Sequence, residues 1–256
     1  MNVFVESALL VGAAAALGVA GVLAANRWLS VETRKQYRDA TDVMRGFLST
    51  SVGLLLAFTV VTMWTRLESA RATVQEEATQ LQEIFRLAQG WPAGEGRQVR
   101  EQAREYARLM IEEEWEALED DRTSPRADAV LARLWELHAE ADRAPARGGV
   151  FFNESTRRLA QLDALREQRI HAATRQVTPL LWLVLVGSTA VLGVLVGITG
   201  TSSVRSQLVI MLAVVWLTTS ALVLIHAYNR PFRGDVRAEV TPFERALAAF
   251  DRELAR

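Results

Sequence analysis

The chain has 256 residues, half of them apolar, with 29 Lys and Arg against 30 Asp and Glu and no cysteine. That length suits one domain or two. Without cysteine there are no disulfides, thiolate nucleophiles or thiolate metal sites.

Four runs carry no charge at all: Ser7–Asn26, Gly46–Thr65, Gln176–Val204 and Ser206–Asn229. Each is long enough to cross hydrocarbon as a helix, which takes about 20 residues. A charged stretch, Arg66–Arg175, separates the second run from the third. Its 17 Arg against 21 Asp and Glu give no electrostatic footprint for nucleic acid. The pattern predicts an all-α membrane protein with four transmembrane helices and one helical insert. The expected divisions are 1–65 for the first two spans and their connector, 66–178 for the insert, 179–229 for the last two spans, and 230–256 for a tail.

The first run is rich in small residues (Gly12, Ala13 to Ala16, Gly18, Gly21), which let helix backbones approach closely in lipid. Met1–Glu6 has no basic residue and carries an acid, which argues against a cleaved signal peptide. Trp28 suits the membrane interface. The connector that follows is basic at Arg27, Arg34, Lys35 and Arg38.

The second run opens the most informative stretch, Val43–Trp91. It has no Pro or Gly between Gly53 and Gly90, so nothing breaks a helix there. After Trp64 the pattern changes to a heptad. Leu67, Val74, Leu81 and Ala88 take one seam position, and Ala70, Glu77, Ile84 and Trp91 the other. One long helix is expected to leave the membrane and become the spine of a soluble bundle. Within the membrane it sets Ser49, Thr50, Gly53 and Ala57 along one side, with Leu54 and Phe58 elsewhere. Such a stripe can pack on a neighbouring helix or line a polar path, and packing is its commoner use.

Three more insert helices are expected. One runs from about Gln98 to Glu119, with Val99, Ala103, Tyr106, Met110 and Ala117 on one face. The next starts at Ser124 as cap and Pro125 in the first turn. Pro145, Gly148 and Gly149 make a break. The last is capped by Asn153, has Leu159, Leu162, Ile170 and Val177 on one face, and runs into the third span near Pro179. Residues 200–203 and Arg205 form a tight hairpin between the last two spans. Pro231 should end the fourth span. Thr241, Pro242 and Glu244 read as a capping box for a short helix whose apolar face is Phe243, Leu247, Phe250 and Leu254. That helix could lie on the membrane or pack back on the insert.

Basic residues do not settle the orientation. The two connectors hold six (Arg27, Arg34, Lys35, Arg38, Arg45 and Arg205), and the tail on the other side also holds six (Arg230, Arg233, Arg237, Arg245, Arg252 and Arg256).

Charges on apolar faces stand out. Arg166 is central to the last insert helix, with Asp163 nearby; Glu113 shares the Tyr106 face, and Glu77 occupies a seam position. An unpaired buried charge is very costly, so these acids are expected to meet Arg166, and Arg169 as well. Such a network commonly fixes register; the other reading is a charged lining or an ion-sensing site. His138, His171 and His226 have no ligand spacing, and no phosphate loop, nucleophile elbow or zinc-protease motif appears. The sequence therefore points to no enzyme, no metal and no cofactor.

Several short segments stand in a telling order: Phe58…Trp64, Glu77-Ala78…Leu81…Phe85-Arg86-Leu87-Ala88, Glu113-Glu114-Trp115, Leu162-Asp163-Ala164-Leu165-Arg166-Glu167-Gln168-Arg169, Leu181-Trp182 and Arg230-Pro231-Phe232-Arg233-Gly234-Asp235. Across about residues 43–250 this resembles the bestrophin-like family of bacterial membrane proteins. The resemblance implies four spans in a bacterial inner membrane, with the insert in the cytoplasm. Through the more distant bestrophins it also implies a homo-oligomer passing chloride or other small anions along the second span. Ser49, Thr50, Gly53 and Ala57 are then the pore-lining candidates, and Arg45 and Arg66 the mouth charges. The narrow aromatic neck and the acidic calcium clasp of bestrophins have no match here, so calcium gating is not carried over. The alternative is a non-conducting scaffold or sensor whose insert binds a partner or signal.

Overall fold

The computed structural model describes residues 3–28, 38–142, 149–175, 177–198, 204–234 and 236–255. Among them every regular element is helical. In chain order they are α1 (Val3–Trp28), α2 (Arg38–Leu87) with a short 3-10 turn after it (Ala88–Gly90), α3 (Ala93–Leu109), a π turn (Met110–Glu114), α4 (Trp115–Glu119), α5 (Pro125–Asp142), α6 (Val150–Thr174), α7 (Pro179–Ile198), α8 (Val204–Tyr228) and α9 (Thr241–Leu254). The connector residues Arg34 and Lys35, the break at Pro145 and Gly148, the hairpin 200–203 and Asp235 lie outside the described residues.

The chain forms two compact units: Met1–Thr65 with Gln176–Asn229, and Arg66–Arg175 with Arg230–Arg256. Among the described residues three helical stretches are long and apolar enough to cross a membrane: Asp42–Gly90, Pro179–Gly197 and Val204–Tyr228. A shorter apolar stretch, Gly12–Ala24, lies in α1.

In the first unit Val22, Val52, Leu56, Met63, Leu185 and Met211 are among the buried apolar side chains. Gly18 of α1 allows a close approach to α8: a Cβ there would stand 3.2 Å from Val215 and 3.3 Å from Met211. Polar side chains tie the helix ends. The Asn229 side-chain oxygen accepts from the Val177 amide at 2.8 Å, and the Gln207 side chain donates to the Gly197 carbonyl at 2.6 Å.

The second unit is a helical bundle around the heptad seam. All eight expected seam residues are buried, Glu77, Leu81 and Ile84 completely. The seam's last member, Trp91, stands past the end of α2, where the chain turns. Gly96 is required there, because a Cβ would come within 2.2 Å of the Ala88 carbonyl oxygen. Helix α9 packs on this bundle through Phe243, Ala246 and Phe250, with Phe250 stacked on Phe85 at 4.2 Å. Before it the tail turns at Gly234, whose φ of 85° suits glycine.

Local details differ from expectation in three places. Asn153 lies inside α6, which starts one turn earlier behind Gly149. Helix α6 stops at Thr174 and α7 starts at Pro179, because proline disfavours helix in the residue before it. The capping box at Thr241 does not form; its hydroxyl turns to Glu239 at 3.3 Å instead.

The seam makes Leu81 a stringent test. Leu81→Asp buries a charge with no partner and should cost several kcal/mol. Thermal melting followed by circular dichroism should show the loss, whereas the exposed Glu76→Asp should melt like the parent.

Candidate functional site

Two groups of residues stand out, one in each unit. In the membrane unit, α2 buries Val52, Leu56, Thr59 and Met63. Ser49, Thr50, Gly53 and Ala57 are all exposed. A Cβ added at Gly53 meets nothing within 4 Å. The Thr50 hydroxyl satisfies itself on the Gly46 carbonyl at 3.0 Å. The bulky residues Phe47, Leu54, Phe58 and Val61 are exposed as well. Arg45 is half-buried and pairs with Asp42 at 3.0 Å, and Arg66 is half-buried.

In the second unit the charges converge. Helix α6 has its own heptad: Phe152, Ser155, Leu159, Leu162, Arg166, Arg169 and Ala173 are its buried residues, spaced three and four apart. Arg169 is completely buried and grips the equally buried Glu77, with Nε donating at 2.7 Å and Nη2 at 3.3 Å. Tyr106 Oη donates to the same carboxylate at 2.7 Å. Burial, then the Glu77 carboxylate, pushes the Tyr106 phenol well above its ordinary value, so it stays a donor.

Glu114 is the second buried acid. One oxygen accepts from Arg166 at 3.2 Å and Arg169 at 3.3 Å; the other accepts the Ser124 amide at 2.6 Å. Arg166 also pairs with Asp128, and the Arg169 guanidinium lies 5.7 Å from the centre of the Trp115 ring. Burial works against the charge on Arg169, but the carboxylates of Glu77 and Glu114 more than offset it and raise its pKa. Four helical segments thus meet at one set of balanced buried charges.

The structure brings Glu77 and Arg166 into this set but not the other two expected acids. Glu113 is half-buried at its edge, accepting from Ser124 Oγ at 2.9 Å and pairing with Arg126. Asp163 is exposed and accepts from Trp135 at 3.3 Å. Arg166 meets Glu114 and Asp128 in place of Glu77, Glu113 or Asp163. The π turn at Met110–Glu114 explains the exchange. It holds one extra residue per turn, so the face carrying Tyr106 and Met110 continues to Glu114 and Glu113 rotates outward.

A second buried polar pair was not foreseen. His138, 2% exposed, donates from Nδ1 to the Leu134 carbonyl at 2.7 Å and accepts from Ser155 Oγ at Nε2 at 2.9 Å. The proton belongs on Nδ1 because a carbonyl can only accept. Among the described residues no three His, Asp or Glu side chains cluster to hold a metal ion.

A family model described as a bestrophin-like domain matches residues 12–243. A crystal structure of a bacterial bestrophin homologue from Klebsiella pneumoniae, a point variant, is similar over 94% of this chain and 98% of that one, with a TM-score of 0.74 and 14% identity. Another structure of a Klebsiella pneumoniae homologue covers 94% and 96% with a TM-score of 0.69, again at 14% identity. At that identity the likeness is one of fold. No curated protein sequence matches the chain.

Breaking a buried ion pair by removing one partner costs about 3–5 kcal/mol. Arg169→Leu and Arg166→Leu should therefore lower the denaturant midpoint far more than Arg157→Leu, whose exposed arginine pairs only with Glu154 on its own helix. Burial lowers the His138 pKa, with its bond to the Leu134 carbonyl acting the other way. The unfolded chain then takes up the proton first, below about pH 6.5. Stability should be full above that pH and fall as the pH drops toward the depressed folded value. His138→Gln should flatten this part of the stability profile in unfolding curves taken from pH 8 to 5.

Proposed function

The chain belongs to the bestrophin-like family, and on that footing we propose that it is a homo-oligomeric channel passing chloride or other small anions along the exposed side of α2. One observation carries the reading. The small and hydroxyl-bearing residues Ser49, Thr50, Gly53 and Ala57 are exposed among the described residues, and a Cβ at Gly53 meets nothing within 4 Å, which supports an axis between subunits along this stripe. Hydroxyls and small side chains line a weakly polar path, and with no charge from Gly46 to Thr65 selectivity falls to the mouths. Arg66 supplies positive charge at one mouth. The charge of Arg45 at the other is partly offset by Asp42.

The bulky residues on the same exposed arc favour a second reading of the axis. Phe47, Leu54 and Phe58 are between 56% and 75% exposed, and a ring of such side chains forms a constriction that gates by dewetting. The buried charges of the second unit serve, in either reading, to hold the helical insert in one register. A scaffold or sensor that does not conduct is the remaining alternative.

The test is purified protein in liposomes under a chloride gradient. Chloride flux in the parent and its loss in Gly53→Trp, with unchanged oligomer size, is the expected result. Flux that survives Gly53→Trp but changes in Phe58→Ala moves the path to the bulky side. Absence of flux over a broad pH range would favour the scaffold.

A further inference from the structure

One cavity of the membrane unit has no part in the path proposed above. It lies among α1, α7 and α8 and has a volume of about 690 Å³. That is within the ~300–1,000 Å³ of sites that take a whole small molecule. Its long axis follows one face of α7 from Trp182 through Val186, Ala190 and Val194 to Gly197. The facing wall is α8 from His226 to Met211. The space is an open groove rather than a closed void, since Leu17, Gly21, Ala190 and Val194 on its walls are exposed.

We propose that this cavity holds one acyl chain of a membrane phospholipid. The polarity of the walls is one-ended. Trp182 and His226 meet edge to face at 6.1 Å where α7 begins and α8 ends, and an indole at the end of a bilayer-length helix marks the interface. From there inward the walls are apolar apart from the hydroxyls of Thr189, Thr218 and Thr219. Thr218 turns its hydroxyl onto its own helix, at the Val214 carbonyl. The Thr189 hydroxyl has no partner, and the Leu185 carbonyl one turn before it already accepts from Ser188 Oγ at 3.2 Å, so these few hydroxyls are the polar exceptions in an otherwise apolar wall.

Length and access fit the same occupant. Trp182 to Gly197 covers about 22 Å of helix at ~1.5 Å per residue, more than the ~15 Å depth of one leaflet. A chain can therefore lie in the cavity extended, with its headgroup beside Trp182 and His226. The rim is open, since Leu17, Val186 and Val194 are exposed. In a bilayer that rim faces lipid, which is present at far higher concentration than any other apolar ligand.

The inference is independent of conduction, and so is its test. Full-length protein is placed in nanodiscs of phosphatidylethanolamine and phosphatidylglycerol, a trace of the latter carrying a diazirine at the end of one acyl chain. After illumination, labelled positions are mapped by peptide mass spectrometry. Label concentrated on cavity residues, and sparse at the outward Leu183 and Leu217, is the expected result. Ala190→Phe fills the cavity from α7. Gly21→Leu fills it from α1, where an added Cβ meets nothing within 4 Å. Excluding even two methylene groups lowers occupancy about tenfold, so each variant should cut cavity labelling by at least that factor while melting like the parent. Gly187→Leu, equally free of contacts but off the cavity wall, should keep it. The proposal falls if label is spread evenly over the outer faces or is unchanged in both filling variants. It falls equally if a diazirine fatty acid labels the cavity and the phospholipid does not, or if photoreactive residues placed at Ala190 crosslink to a second copy of the chain.

Discussion

The pairing of Glu77 with Arg169 is the constraint on which the second unit rests. Both side chains are fully buried, and each pays several kcal/mol in lost hydration. The contact is two-pronged, Tyr106 and Glu114 fill further hydrogen-bonding positions, and the Trp115 ring lies under the guanidinium. Apolar residues of the same volume commonly do as well for stability, so the distinctive product of such a pair is register. The two seams that supply it, on α2 and α6, are otherwise built from interchangeable residues such as Leu, Val and Ala. A slip of one heptad along either seam keeps apolar residues in contact but strands two charges without partners. The ion pair is what makes that slip costly.

The π turn belongs to the same design. A regular helix through Met110 would direct Glu113 inward; the wider turn directs Glu114 there instead. With one oxygen Glu114 then serves both arginines, and with the other it accepts the Ser124 amide where α5 begins. Glu113, turned outward, takes the Ser124 hydroxyl and Arg126. The irregular turn gives two adjacent acids different partners, and through them joins the start of α5 to the central charges.

These details show where the sequence was legible. Heptad spacing identified the eight buried seam residues, six of them in α2, and the apolar face of α9, because burial of many side chains averages out local irregularity. Stepping 100° per residue along α6 centred Arg166, with Arg169 named as a second partner for the acids. The three-and-four spacing that succeeded on α2, applied from Phe152 onward, selects both arginines. The exchange of Glu113 for Glu114 was not legible, since a π turn is set by what it meets in three dimensions. The same holds for caps. Ser124 Oγ accepts the Ala127 amide at 3.3 Å as its position suggests, whereas Thr241 finds Glu239 nearer.

The membrane unit shows the limit of composition from another side. Lipid tails are as apolar as leucine, so hydropathy does not distinguish a face that meets lipid from one that meets another helix. Small residues carry more information, but only with their surroundings known. Gly18 and Gly53 both read as small positions on apolar helices. At Gly18 a Cβ would press on Val215 and Met211, so that glycine exists to bring α1 against α8. At Gly53 there is nothing to press on within the chain. Gly46 and Gly187 are equally free of neighbours within 4 Å, so an uncrowded glycine is a common feature of these membrane helices, and it is the crowded Gly18 that reports a helix contact.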